Sequence, residues 1–346
     1  ESRYGSAMDE ISPDPRPMPA RGLPAVRLKP KAEARAIRHG FPWVYADELV
    51  TDRRTQGLAP GSLAVLEDGE RRPLGLVTVN VRSKIIARML DRDPEAVIDQ
   101  AWFEARIDRA LAHRARLYPD PFYRLIHAEA DGLPGVIIDR FGEVAVVQPN
   151  AAWAGAHLAA LGAALGAVTG VRTVIKNGSG RARGLEGLAE EMGVIHGAPL
   201  AGPVPVPMNG ACYMADLMGG QKTGLFFDQR ENHAFAARLA RGARVLDVFS
   251  HVGGFALAAL AGGAVSALAV DASAPALALA GQGAAASGFG DRFAVRQGDA
   301  FEVLEALGAD GARFDLVICD PPAFAPAKPA LEAGLRAYER VARLAR

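Results

Sequence analysis

Cysteine is nearly absent: the 346 residues hold two, Cys212 and Cys319. A disulfide framework or a cysteine-rich zinc site is therefore excluded, no metal is expected, and a reducing, cytoplasmic setting fits best. Long apolar runs are missing too. A membrane-spanning helix needs about 18 or more consecutive apolar residues, and the most hydrophobic stretch, residues 256–286, is broken by Gly262, Ser266, Asp271 and Pro275. The first residues lack the basic-then-apolar order of a signal peptide. Net charge is missing as well, with 39 Lys and Arg against 39 Asp and Glu.

Half of the residues are hydrophobic, enough for a sizeable core, and the length predicts two or three domains. The charge is unevenly spread. Residues 21–92 carry 14 Lys and Arg against 8 Asp and Glu, residues 93–220 carry 10 against 14, and residues 221–346 carry 13 of each. A basic N-terminal module on a neutral body suits a polyanion held at one end. A solubilising surface would carry the same charges.

Residues 1–24 hold Pro13, Pro15, Pro17, Pro19 and Pro24 and read as a disordered leader. Residues 25–92 read as a small β-barrel, with short strands at 26–28, 63–66, 74–79 and 85–89 and turns at Pro60-Gly61 and Asp68-Gly69. Here Lys29, Lys31, Arg35 and Arg38 are candidates to follow RNA phosphates. Trp43, with Tyr45 nearby, either stacks a base beside them or fills the barrel core. Pro94 suits a first helical turn, and a stripe over 94–117 predicts a linking helix within 93–122. Residues 123–217 read as an α+β unit: a hairpin of 136–139 with 144–148, a helix over 153–168, a strand at 173–176 and a proline-dense boundary at 199–207.

From Arg244 apolar strands alternate with helices. Strands are predicted at 244–249, 265–270, 292–296 and 314–319, with helices at 253–260, 275–287, 300–307 and 329–344. Continuous apolar strands separated by helices predict a parallel sheet covered on both faces, with its ligand at the carboxyl ends of the strands. Asp247 lies at the end of the first strand, before Phe249, Ser250, Gly253 and Gly254, and no G-x-G-x-x-G follows. A pyrophosphate would be repelled there, which argues against a dinucleotide dehydrogenase; a cationic ligand would be favoured. Asp271 follows the second strand, placed for ribose hydroxyls. Asp299 and Ala300 follow the third, placed for an adenine edge, and Asp320-Pro321-Pro322-Ala323-Phe324 follows the fourth. Singly, an Asp at a strand end is more often a helix cap; the ordered series is the signal.

With these residues in place, 221–346 resembles the class I methyltransferases that use S-adenosylmethionine (SAM). The run Gln221 to Asn232, the segment Asp247 to Phe255 and the Asp320 to Phe324 turn are most similar to the cytosine-C5 methyltransferases of 23S ribosomal RNA. His39-Gly40-Phe41-Pro42-Trp43-Val44-Tyr45 resembles the start of that family's RNA-binding PUA domain, and residues 123–217 its central domain. The resemblance implies that Asp247, Phe249, Ser250 and Gly253 line the methionine part of SAM. It implies that Asp271, with Ala272 and Ser273, holds the ribose and Asp299 with Ala300 the adenine. Phe227, Asp228, Gln229 and Arg230 would cover the cofactor, and Asp320 and Pro322 would face the target base, Asp320 as the catalytic carboxylate. The implied partner is 23S rRNA, without a membrane, and a homodimer is favoured. His251-Val252 departs from the family's aromatic or Asn followed by Thr. The family also has seven strands and a nucleophilic cysteine in a later one, so the methyltransferase domain, 218–346, is expected to be C-terminally incomplete. Cys319, alternating inward on its strand, reads as packing rather than as that nucleophile. Two alternatives stay open: an rRNA guanine N-methyltransferase, since Asp-Pro-Pro-aromatic turns also hold exocyclic amines, and an RNA-binding protein with an inert methyltransferase domain.

Overall fold

Alternating apolar side chains in residues 62–79 turn Ala64, Leu66, Val77 and Val79 to one buried face. In the computed structural model, which describes residues 22–219 and 224–346, they form the middle of an N-terminal five-stranded sheet. Most of the expected leader and Gln221-Lys222-Thr223 of the quoted motif lie outside the described residues. The unit comprises β1 (Ala25–Arg27), α1 (Ala34–Arg38), β2 (Trp43–Tyr45), α2 (Arg53–Gln56), β3 (Ser62–Glu67), β4 (Pro73–Val79) and β5 (Ile85–Asp91). The sheet order is β1-β3-β4-β5-β2. Backbone bonds from Lys29 N–H to Glu48 O (2.8 Å) and Val50 N–H to Arg27 O (2.9 Å) tie its edges together. The sheet thereby closes around Val26, Leu28, Leu49, Leu66 and Ile86.

The linking helix, α3 (Gln100–Ala115), starts six residues after Pro94. Asp99 is the reason: its carboxylate accepts the Trp102 N–H (2.9 Å), whereas Asp93 closes a turn on the Glu95 N–H (2.9 Å) with Pro94 inside it. The central unit follows with β6 (Phe122–His127), β7 (Val136–Phe141), β8 (Val144–Pro149), α4 (Ala152–Gly155), α5 (Leu158–Thr169), β9 (Thr173–Asn177), α6 (Arg181–Leu185) and β10 (Met192–His196). Its sheet runs β10-β9-β8-β7-β6, antiparallel except for the β8–β9 pair that α4 and α5 bridge. The helix expected over 153–168 is thus two helices, broken at His157, whose Nδ1 lies 2.8 Å from Trp153 O. Trp153 stacks on Phe103 with centroids 6.1 Å apart and anchors the core.

The proline-dense stretch expected as a boundary is instead a strand. β11 (Val204–Met208) pairs with β12 (Ala211–Ala215). Pro205 and Pro207 face outward while Val206 and Met208 face inward. Val206, Met208 and Tyr213 pack with Phe141, Val146 and Ile175 of the central sheet and also with Leu257, Ala276 and Ala284 of the C-terminal unit. The hairpin is a shared wall, and a cut after residue 217 passes just behind it.

The C-terminal unit runs α7 (Arg230–Leu239), β13 (Arg244–Val248), α8 (Gly254–Ala261), β14 (Ser266–Asp271), α9 (Ala274–Ala286), β15 (Phe293–Gln297), α10 (Ala300–Ala309), β16 (Leu316–Cys319) and α11 (Leu331–Leu344). The sheet is parallel throughout, ordered β15-β14-β13-β16. Val245, Ala267 and Ala269 pack on α8 and α9, and Leu246, Val248 and Val270 pack on α10, so both faces of the inner strands are covered, whereas β15 at the edge keeps Ala294, Val295 and Gln297 exposed. The Ala/Gly-rich helices sit close to their neighbours. A Cβ on Gly254 would lie 2.6 Å from His233 Nε2, one on Gly262 2.2 Å from Ala237 O, and one on Gly283 2.7 Å from Cys212 O. No helix among the described residues is long and apolar enough to cross a membrane.

Candidate functional site

Parallel strands bring their carboxyl ends to one edge. Val248 of β13 is in register with Val270 and Cys319, and Asp271 with Gln297. Asp299, Asp271, Asp247 and Asp320 therefore stand in that order along the edge.

Asp247 is fully buried. Its Oδ2 accepts the Ala256 N–H at the start of α8 (2.9 Å), while Oδ1 has no partner among the described residues, like Ser250 Oγ and His233 Nδ1 beside the same helix start. Burial, against the opposing Ala256 and Phe255 N–H groups and with the Asp320 and Asp271 charges adding to it, pushes the Asp247 carboxyl up to about 7. Burial likewise drives His233 down to about 4, so its ring is neutral. A buried oxygen without a donor costs about 1–3 kcal/mol, and an incoming cationic donor removes that cost. An ammonium group fits this requirement.

The loop after β13 is strained. Phe249 (φ 65°), His251 (φ 50°) and Gly253 (φ 78°) are all left-handed, a conformation costing about 1–3 kcal/mol at non-glycine residues. Asp271 is its brace: Oδ2 accepts the His251 N–H (2.8 Å) and Oδ1 the Ser273 N–H (2.8 Å). Each oxygen retains a lone pair for a ribose hydroxyl. Ala272 is exposed, and Ser273 caps α9 by accepting the Ala276 N–H (3.3 Å). Asp299 caps α10 through the Phe301 N–H (2.9 Å) and Glu302 N–H (3.2 Å), and Ala300 is buried in that helix. For Asp299 the structure shows the helix cap. Asp271→Ala is expected to weaken S-adenosylhomocysteine binding by about 1–3 kcal/mol in isothermal titration; unchanged affinity would remove Asp271 from the site.

Asp320 is exposed at the rim, and burial, then the Asp228 charge, raises its pKa. Gln229 Nε2 donates to Asp320 (3.0 Å), and Gln229 Oε1 accepts from Asn232 (2.6 Å). Pro322 is exposed just beyond. Phe324 of the same turn lies against Phe249, Phe301 and Tyr338 at centroid distances of 6.1, 5.9 and 4.8 Å. Asn232 closes the run that carries the resemblance but was not singled out as a site residue, although its spacing of three from Gln229 along the chain was a signal; nothing in the sequence marked His233.

The expected covering segment divides. Gln229 reaches the rim and Asp228 is exposed. The side chains of Phe227 and Arg230 turn to the central unit instead: Phe227 is buried against Phe141 (5.0 Å), and Arg230, 8% exposed, donates to Phe122 O (2.8 Å) over the Tyr118 ring. Docking the two units takes up the apolar and cationic sides of this segment. Cys319 is half-buried on the α10 face, and burial, then the Asp247 charge, pushes its thiol up to about 11. It is protonated at neutral pH.

Away from this edge, Lys29, Lys31, Arg35 and Arg38 are exposed; Arg38 is paired with the buried Asp68. Trp43 is neither barrel core nor free. It is half-buried, and its indole N–H donates to Glu129 of the central unit (2.8 Å).

Family models match in two places: a PUA-like domain at residues 26–92 and an S-adenosylmethionine-dependent methyltransferase at residues 187–344. A ribosomal RNA large subunit methyltransferase of Deinococcus radiodurans is 37% identical over 94% of this chain and 82% of its own length. The ribosomal RNA large subunit methyltransferase I of Alteromonas mediterranea is 36% identical over 91% of this chain and 80% of its own. A SAM-dependent methyltransferase structure from Streptococcus mutans superposes with a TM-score of 0.72 at 19% identity, covering 91% of this chain and 82% of that one. A second solved methyltransferase, complexed with SAH, gives 0.72 at 20% identity, covering 88% and 78%. The chain belongs to the large-subunit ribosomal RNA methyltransferase family, S-adenosylmethionine-dependent enzymes with a PUA-like domain.

Proposed function

We propose that this protein methylates a base of 23S ribosomal RNA, at C5 of a cytosine. The observation that carries this reading is the 36–37% identity to large-subunit rRNA methyltransferases over more than nine-tenths of the chain, on a chain that keeps an acid at or just beyond each strand end. When bound, SAM supplies an electrophilic methyl group on a sulfonium. Asp247 Oδ1 would hold the ammonium, Asp271 the ribose hydroxyls, and Asp299 with the Ala300 N–H the adenine edge. Asp320, oriented by Gln229, accepts a hydrogen bond from the amine edge of the target base, and the Pro321-Pro322 turn keeps that acceptor rigid. The closed N-terminal sheet serves as an RNA-binding barrel. The target base leaves its stack to reach this rim. Attack by C5 requires a thiolate added at C6, and Cys319, protonated and half-buried, is not that thiol.

The test is nucleoside mass spectrometry of 23S rRNA from cells with and without the gene. Loss of one 5-methylcytidine is the expected result. Loss of a methylguanosine would favour the N-methyl reading, and an unchanged nucleoside profile would refute both.

A further inference from the structure

A second recess lies between the N-terminal and central units, a cavity of about 540 Å³, within the about 300–1,000 Å³ typical of small-ligand sites. Its lining includes Trp43, Arg82 and Lys84 from the first unit and Glu129, Asn150 and Leu185 from the second. None of these residues belongs to the strand-end site. Arg88 donates to Glu129 and Glu186 at 2.9 Å each, and Asn80 and Ser83 donate to Glu186 as well (2.8 Å each). This part of the lining is thereby held rigid and its carboxylates are largely neutralised. Arg82 and Lys84 are exposed and form no ion pair among the described residues, so the mouth of the recess is positive.

The aromatic side chains here are unusually open. Phe41 and Tyr45 are 41% and 38% exposed. Phe41 lies 6.2 Å from Trp43 and 6.4 Å from Tyr45 between ring centroids, forming a row. Leu185, 70% exposed, adds an apolar rim. Lys84 also borders an adjoining shallow hollow with Tyr45, Asp47 and Glu48, so the positive side of the mouth is the one that Arg82 and Lys84 share. The bond from Trp43 to Glu129 fixes the indole, and the Asn150 side-chain amide offers both a donor and an acceptor to a base edge. Flat apolar rings interleaved with unpaired cations match the chemistry of a single strand of nucleic acid, whose bases stack while its phosphates meet the cations. A duplex hides its base faces and fits such a row poorly.

We propose that this recess and the aromatic row bind an unpaired stretch of the RNA substrate, one base entering against Trp43 with its phosphates on Arg82 and Lys84. The inference rests on the RNA-methylation reading and adds to it where the RNA-binding barrel, together with the central unit, holds an unpaired segment.

Tryptophan emission provides the test. Of the three tryptophans, Trp102 and Trp153 are 8% and 1% exposed, so a change on binding reports chiefly Trp43. Titrating the full chain with a mixed-sequence single-stranded decaribonucleotide is expected to quench the emission, and the quenching is expected to vanish in Trp43→Phe. An Arg82→Gln/Lys84→Gln double variant, altered only at exposed positions, is expected to bind at least about tenfold more weakly. Its log–log salt slope should fall by about 1.4, as two lost phosphate contacts predict. The same sequence as a duplex should compete poorly. No quenching in the wild type, quenching that persists in Trp43→Phe, or a double variant with wild-type affinity and salt slope would each overturn the proposal. S-adenosylhomocysteine titrated into the same samples separates the two readings: intact binding there leaves a failure confined to the recess, and its loss in the wild type counts against the methyltransferase site.

Discussion

Asp247→Asn is expected to weaken S-adenosylhomocysteine binding by at least about tenfold at pH 8, by removing the charge that pairs with the ligand ammonium, and to abolish its pH dependence between pH 6 and 8. The wild-type carboxyl sits at about 7 because it is buried. Below that pH it is neutral, so wild-type affinity falls toward a limit of about tenfold per pH unit as the pH drops, and binding at pH 6 releases a proton. The stability of the ligand-free protein moves the other way. The folded carboxyl holds its proton up to about 7, while the unfolded one releases it near about 3.9. Between those values the unfolded state binds fewer protons, so this group lowers stability as pH rises. Asparagine can keep its carbonyl on the Ala256 N–H and place its neutral amide where Oδ1 stood. Ligand-free Asp247→Asn should therefore melt higher than wild type at pH 8 while binding the ligand more weakly. Titration calorimetry at three pH values and thermal melts of the same samples check this. A variant with the wild-type pH profile would detach Asp247 from the ligand.

Arg88→Met should loosen the N-terminal unit from the rest of the protein. Arg88 is 14% exposed and lies between Glu129 at 17% and Glu186 at 6%. Its removal leaves two largely desolvated carboxylates facing each other without a cation, a change of about 3–5 kcal/mol. Because the lost contacts join two units, the expected calorimetric trace is a separate early transition of the N-terminal unit rather than a uniform shift. Adding Glu129→Gln and Glu186→Gln removes the stranded charges and should restore most of the loss. A single wild-type transition in Arg88→Met would show that the two units are held by other contacts.

The C-terminal sheet was the most legible part of the chain because its inner strands, β13 and β14, are covered on both faces, which leaves apolar runs such as 267–270. The acids beyond those strands followed from the same pattern. Elements whose apolar content is diluted were harder to read. β11 carries Pro205 and Pro207, which mimic a linker; a two-stranded hairpin tolerates them where the missing N–H groups face away from the partner strand. β2 has three residues and β10 no buried ones, too little for a period. The direction of Phe227 and Arg230 was illegible because it depends on Phe141, Tyr118 and Phe122, about a hundred residues away. Trp43 was ambiguous for the same reason: its partner, Glu129, belongs to another unit.

The closely seated helices α8 and α9 set how this half of the protein tolerates substitution over time. Most of their buried positions are alanine or glycine, so truncation has little to remove, whereas one added methyl at Gly254, Gly262 or Gly283 meets an atom at 2.2–2.7 Å. Sequence drift in these helices is thus confined nearly to exchanges among the smallest residues. A library randomised there should lose folded members chiefly through enlargement, while the exposed face of α11, with Leu335 58% exposed, accepts change freely.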